Sequence, residues 1–371
     1  MTHPIQTYSL SGGIELSFTD SGPPLDSSDY TTIVLLHGGV FNAYGFHKVH
    51  GYAHNLNLRT VLLHRRDYAG STPYSRSETQ ELRQGNVIFW ERLSAQLGEF
   101  LQMFVQREGI PKLVVRQKPA QLNGLGNMGS GGVAILGWSG GCLPIVSFLG
   151  AIRNRMISEE LYNFLVDYIG DCILYDPSYH CFGYPLPPEN RNYIPWEDTT
   201  ISSEEFLHAF SQWVSSYYDH PCYDPVSRSL LTTASINDYD GQRHKSDEIS
   251  VSSWTDVEIV QGTEERPSKN EISTFLPEVQ KTLRALTEQA LFDQDCTKTW
   301  FPDLEVSHIG GTRTNWMSEA KVRTWIQGRD REVVGYGSLT WMERIILWAH
   351  WDRPAEFLQL VAECIRSHWS N

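Results

Sequence analysis

Ser139 stands where an apolar run stops abruptly on small residues, in Gly132-Val-Ala-Ile-Leu-Gly-Trp-Ser-Gly-Gly-Cys142. A serine hydroxyl is a weak nucleophile until a neighbouring base takes its proton. Gly137-Trp138-Ser139-Gly140-Gly141 matches G-x-S-x-G, the turn that holds a serine Oγ proud of a strand-to-helix junction. The sequence on either side supplies that junction. Val133 to Leu136 are four consecutive apolar residues, which suits a strand buried on both faces, and Leu143 to Ile152 resumes a helical pattern. The bland alternative is a glycine-rich turn that contains a serine.

The elements needed to carry such a turn recur along the chain. Ile5, Tyr8, Ile14, Leu16 and Phe18 alternate about Ser11-Gly-Gly13 as an antiparallel edge hairpin would. Thr32 to Leu36 is a second strand ending on glycines, in His37-Gly38-Gly39-Val40, and Thr60 to His64 a third, ending in Arg65-Arg66-Asp67-Tyr68-Ala69-Gly70-Ser71. Phe89, Leu93, Leu97, Leu101 and Phe104 recur at helical spacing, giving one buried face. Residues 117 to 131 read as a surface loop. Cys172-Ile-Leu-Tyr-Asp176-Pro177 is a further short strand that ends on a carboxylate, and Leu304 to Ile309 is the last. Strands alternating with helices predict a mostly parallel sheet. Between them, from Tyr179 to about Trp300, strand signals are sparse. Prolines, aromatics and two helical patterns, Glu204 to Tyr217 and Pro277 to Phe292, read as a cap. Pro354 to Ser367 predicts a closing helix with Phe357, Val361, Cys364 and Ile365 on one face.

With these motifs the chain resembles the α/β-hydrolase fold, and within it the fungal, mushroom-type α/β-hydrolases. The likeness rests on Tyr175-Asp176-Pro177 with Gly183-Tyr184-Pro185-Leu186-Pro187-Pro188, on Phe210-Ser-Gln-Trp213-Val214-Ser-Ser-Tyr217-Tyr218, and on His350-Trp351-Asp352-Arg353-Pro354. It implies a mostly parallel sheet flanked by helices, residues 1–178 and 301–371 forming the core and 179–300 a large helical cap inserted after strand six. It also implies Ser139 as the nucleophile and an oxyanion hole from the N–H groups of Gly39 and Gly140. Strand seven ends in His308-Ile309-Gly310-Gly311-Thr312-Arg313 with no carboxylate, so Asp176 is the better candidate for the triad acid, a turn or helix-cap aspartate being the alternative.

The histidine departs from the pattern. In these relatives the catalytic histidine stands seven residues before the closing proline, a place held here by Leu347. His350 matches a second, non-catalytic histidine and is the candidate base by default, against a structural role beside Trp351. His180, His220 and His308 read as structural. Without a placed base, both acylation of Ser139 and activation of water are impaired, whereas stabilisation of an enolate by two N–H donors is not.

A formal charge of −14 over 371 residues argues against nucleic acid and anionic membrane surfaces. Six scattered cysteines, with no C-x-x-C pair, indicate neither a zinc cluster nor a disulfide framework. No segment reads as a leader or a membrane span, and the cytoplasm is the expected compartment. No metal or organic cofactor is expected, since no ligand cluster or phosphate loop stands at a strand end. Aromatic residues make up 12% of the chain. Trp138, Trp213 and Tyr217, with Trp196, Tyr218 and Trp254, suggest an apolar ligand site, or equally the cap's own core. Three functions stay open: an esterase or lactonase acting on a small apolar ester or lactone, a non-hydrolytic lactone cyclase or isomerase, and a small-molecule receptor that has lost turnover.

Overall fold

The computed structural model describes residues 3–114, 130–153, 157–184, 186, 188, 190–224, 226, 229–231, 234–242, 248–293, 301–318, 341–345 and 348–367. Eight strands share one sheet. They are β1 (Gln6–Leu10), β2 (Ile14–Asp20), β3 (Thr31–Leu36), β4 (Leu58–Leu63), β5 (Val133–Trp138), β6 (Ile169–Tyr175), β7 (Glu305–Gly311) and β8 (Trp341–Ile345). Their spatial order is β1-β2-β4-β3-β5-β6-β7-β8. β1 and β2 form the antiparallel edge, joined through Ser11–Gly13, and every pair from β4 to β8 is parallel.

The strand sequences explain the layering. Every residue of β3, β4, β5 and β6 is buried, as strands covered on both faces must be. Alternate residues face opposite layers. Val34, Leu36 and Ile135 join one core with Phe100, Leu101 and Phe148, whereas Ile33, Leu35 and Leu136 join the other with Phe46, Val49 and Val361. Helices α1 (Arg76–Arg83), α2 (Val87–Glu108), α3 (Cys142–Arg153) and α4 (Glu159–Leu165) connect the strands. The closing helix α9 (Pro354–Ser367) turns Phe357, Val361, Cys364 and Ile365 to the second core, on the face its spacing predicts. This is the α/β-hydrolase fold that the sequence resembles.

Between β6 and β7 the described elements are mostly helical: α5 (Ser203–Ser215), α6 (Asp256–Gly262), α7 (Glu265–Glu271) and α8 (Pro277–Thr287), with a two-strand ribbon pairing Tyr223–Asp224 and Ser229–Leu230. Ser202 and Glu205 close a capping box on α5, and Pro277 starts α8 at the position where its missing N–H costs nothing. The helical pattern expected through Phe292 ends at Thr287, and Glu288–Phe292 widens into a π-turn. Tyr179, Trp213 and Tyr218 of this insertion share a buried aromatic cluster with Trp316, which follows β7. Residues 117–129 of the expected loop, and Leu347, lie outside the described residues.

Candidate active site

The parallel strands deliver their chemistry at the C-terminal edge of the sheet, where backbone strain also gathers. Val40, Asp67, Ser139 and Asp176 follow β3, β4, β5 and β6 respectively, and all four have positive φ: 68°, 76°, 49° and 46°. Such residues cost on the order of 1–3 kcal/mol each and persist where the surroundings fix them. For β-branched Val40 the conformation is a genuine outlier.

Ser139 is fixed by close packing of the chain around it. The elbow presses on β3 so tightly that a Cβ on Gly141 would stand 2.2 Å from the carbonyl oxygen of Leu36. No side chain fits there. The glycine segment after β3 lies directly over the serine, with a Cβ placed on Gly38 only 3.3 Å from Ser139 Cβ. Gly39 and Gly140 abut as well, since Gly39 N is 3.3 Å from the point a Gly140 Cβ would occupy. His37 steers this segment. Its Nδ1 donates to Gly38 O (2.9 Å) and its Nε2 accepts from Arg65 N (3.1 Å). Burial holds its pKa well below the usual imidazole range, so one tautomer of the neutral ring fits both bonds.

Ser139, Gly38, Gly39 and Gly140 line a cavity between the sheet edge and the insertion. Trp138, Trp196, Phe206, Phe210, Trp213 and Phe275 are in its apolar wall, and Ser178, His180, Glu271, Thr274 and Asn315 are among its polar members. Trp138 and Trp213 thus line the same cavity as Ser139.

Two expected residues stand elsewhere. Tyr217 does not line the cavity, because its hydroxyl donates to Asp352, which also accepts from Ser250 Oγ (2.6 Å). That carboxylate fastens the insertion to the residues before α9. His350 does not line the cavity either. Its ring stacks on Phe46 (4.1 Å between centroids, 18° between planes) and lies 4.5 Å from Trp138, with Nδ1 3.3 Å from the Tyr175 hydroxyl. It is fully buried, Nε2 has no partner among the described residues, and desolvation depresses its pKa. The ring of His350, expected as the base, therefore packs among aromatics outside the cavity lining.

Sequence reasoning passed over two residues. The first is His180, the one histidine in the cavity wall among the described residues. It leaves the sheet four residues after Asp176, with Nδ1 2.6 Å from Ser178 Oγ and its ring 4.1 Å from Phe275. Burial pushes its pKa down to about 3, so it is neutral near pH 7. Next to it, Cys181 Sγ donates to the carbonyl oxygen of Ser139 (3.4 Å), which ties this segment to the elbow. The chain position was the available signal: this is the only histidine close behind the carboxylate-ending strand, at the sheet edge where open α/β proteins bind ligands.

The second is Glu271, at the end of α7. Its carboxylate takes an ion pair from Arg65, a hydrogen bond from the Tyr68 hydroxyl (2.7 Å) and one from Val40 N (3.3 Å). Arg65 also donates to Gly38 O (2.8 Å), and Glu264 N donates to Val40 O (2.8 Å). The strained glycine segment is therefore clamped on both sides by α7 and the residue before it. The same helix holds Asp67 through Arg266 (3.0 Å) and Asn270 (2.8 Å). Nothing in the sequence signals a pair 206 residues apart.

Asp176 is 1% exposed and points at β7. Its Oδ2 accepts from Thr314 Oγ1 (2.6 Å) and its Oδ1 from Gly311 N (3.5 Å). Burial outweighs those bonds and raises its pKa to about 7. Among the described residues no imidazole hydrogen-bonds to Asp176 or to Ser139 Oγ, and no cluster of His, Cys, Asp and Glu could hold a metal ion. No described helix is long and apolar enough to cross a membrane.

No protein-family model and no curated protein matches this sequence. In three dimensions the chain is similar to a protein from Burkholderia cenocepacia assigned as an aryl esterase, at 12% identity over 99% of this chain and 100% of that one, with a TM-score of 0.51. It is also similar to epoxide hydrolase I of potato (Solanum tuberosum), at 14% identity over 98% of this chain and 99% of that one, with a TM-score of 0.50. At these identities the likeness establishes one thing, that the chain has the α/β-hydrolase fold.

Proposed function

We propose that this protein is an enzyme that acts on the carbonyl of a small, largely apolar ester or lactone at Ser139. The observation that carries the proposal is the meeting of Ser139, in its strained elbow, with the abutting backbones of Gly39 and Gly140 in the wall of an aromatic cavity. A carbonyl carbon over Ser139 Oγ would set its oxygen against the two main-chain N–H groups, the arrangement that stabilises negative charge as it develops on oxygen. His180 takes the role of proton acceptor in this reading. With Nδ1 bonded to Ser178, its Nε2, 4.0 Å from Cys181 Sγ, is the nitrogen that would receive the proton. The ring is neutral at pH 7, and because burial holds its pKa at about 3, negative charge on the bound substrate is needed to raise its basicity. The segment 179–300 acts as the cap, and the aromatic wall selects apolar substrates.

A second reading has its own support. His180 and Asp176 share no hydrogen bond, Asp176 being bonded to Thr314 and Gly311, so no complete Ser-His-Asp relay is assembled among the described residues. A site that polarises a carbonyl in a dry aromatic cavity, with an incomplete relay, suits rearrangement through a stabilised enolate. This is the lactone cyclase or isomerase reading, of the kind that vibralactone cyclase represents. Its setting would be fungal secondary metabolism, where the sequence resemblance points. Incubation with candidate apolar lactones in H₂¹⁸O, followed by product mass, separates the two. Hydrolysis adds one labelled oxygen to every product, and cyclisation adds none. Absence of any product across the lactone and ester series, from folded protein, would overturn both.

A further inference from the structure

A second cavity lies behind the Arg65–Glu271 pair and shares a wall with the first. Leu143, Glu271 and Thr274 line both. Leu143 belongs to α3, one turn beyond Ser139, so the common wall begins at the elbow itself. The second cavity runs from there between the ends of β3 and β4, at Leu36 and Leu63, and the inner faces of α1 and α2, at Leu82, Phe89, Leu93 and Leu97.

Its chemistry is that of a hydrocarbon site. The two guanidinium groups in its wall are engaged by neighbouring carbonyls and side chains. Arg66 donates to Thr72 O, Gln96 Oε1 and Glu78, while Arg65 is held by Gly38 O, Tyr68 and Glu271. An anionic ligand would find both guanidinium groups already engaged by carboxylates or carbonyls. Most of the remaining lining is leucine, with Tyr74, Phe89, Trp90 and Pro144, a surface that gains by excluding water from an alkyl chain.

We propose that this second cavity is an arm of the substrate site, taking an aliphatic chain attached to the ester or lactone whose carbonyl sits at Ser139. The inference rests on the carbonyl-directed reading above and narrows its substrate class to lactones or esters with a flexible hydrocarbon arm. Leu143 and Thr274 form the threshold the arm passes, and Leu93 and Leu97 set how long it can be.

The test uses unreactive ligands, so that it does not depend on turnover. Binding of straight-chain methyl ketones from six to fourteen carbons is measured by calorimetry on the full chain carrying Ser139→Ala. Affinity is expected to rise about three- to fourfold per methylene until the arm is full, and then to level off. Adding Leu93→Trp, at a half-buried position outside the first cavity, should bring the plateau to shorter chains while the shortest ketone binds as before. Leu93→Ala should move it to longer ones. Melting temperatures check that each variant is folded. An identical chain-length series in all three proteins, or no gain with length at all, would overturn the proposal. If instead the series behaves as expected while the unsubstituted protein converts no lactone or ester, the arm stands and the enzymatic reading fails.

Discussion

The two halves of the site are built from different material. On the β3 and β5 side, Ser139, Gly39 and Gly140 are placed by main-chain packing: a Cβ on Gly137 would stand 2.4 Å from Gly141 O and one on Gly141 2.2 Å from Leu36 O, gaps that only glycine fits. On the β6 and β7 side, Asp176, His180 and His350 depend on side-chain partners: Thr314 for the acid, Ser178 for one imidazole and Tyr175 for the other. In the first half Ser139, Gly39 and Gly140 lie together in one cavity wall, and in the second neither Asp176 nor His350 lines that cavity. A backbone-defined site is kept by the fold's own packing, since a Cβ at Gly137 or Gly141 would collide with main chain, whereas a side-chain relay can lose or move a member while the fold persists.

The largest expected effect tests the relocated base. His180→Ala should lower kcat by roughly 10²–10⁴ on any ester or lactone that the protein turns over. His350→Phe, which keeps the aromatic packing around Trp138, should leave kcat within about threefold. Loss of turnover in folded His350→Phe, with His180→Ala unaffected, would reverse the assignment and return the base to the segment before α9.

Gly140→Ala probes the backbone half. The added methyl would stand 3.3 Å from Gly39 N, and a decrease of roughly 10²–10³ in kcat is expected with little change in melting temperature. A variant with unchanged kcat would show that the carbonyl is not held there.

The smallest effect is on stability. Asp176 has a pKa of about 7 in the folded chain against about 3.9 in an unfolded one, so the native state holds this proton more tightly. Its contribution is complete below the unfolded value and is lost as pH rises from about 4 through 7. Asp176→Asn, which mimics the protonated acid, should therefore melt close to the parent at pH 4 and above it at pH 8, by on the order of 5 °C. A gap that is constant with pH would mean that Asp176 is ionised throughout.

The contrast also explains how much could be read from the chain. The strands were legible because runs such as Thr32–Leu36 and Val133–Leu136 are apolar on both faces, and α9 because its apolar residues recur at helical spacing. Ser139 and its glycines announced themselves through a local pattern whose spacing is the geometry. Glu271 gave no such sign, since its meaning comes from Arg65 and Tyr68, brought to it only by folding. The aromatics of the insertion divided in a way composition could not resolve. Trp196 and Trp213 face the cavity, whereas Tyr217 is drawn off by Asp352 and Trp254 packs on Trp351. His350 was preferred over His180 because it sits in a recognisable motif, although its place in the fold is an aromatic nest.

The central claim is that the main chain at Gly39 and Gly140 polarises a bound carbonyl, and it holds whether or not water is added afterwards. Isotope-edited infrared spectroscopy of a ¹³C-carbonyl lactone bound to Ser139→Ala protein measures that directly. The account predicts a carbonyl stretch shifted to lower frequency than for the same lactone in water, and a smaller shift when Gly140→Ala is added. A bound lactone with its carbonyl stretch at or above the frequency seen in water would contradict it.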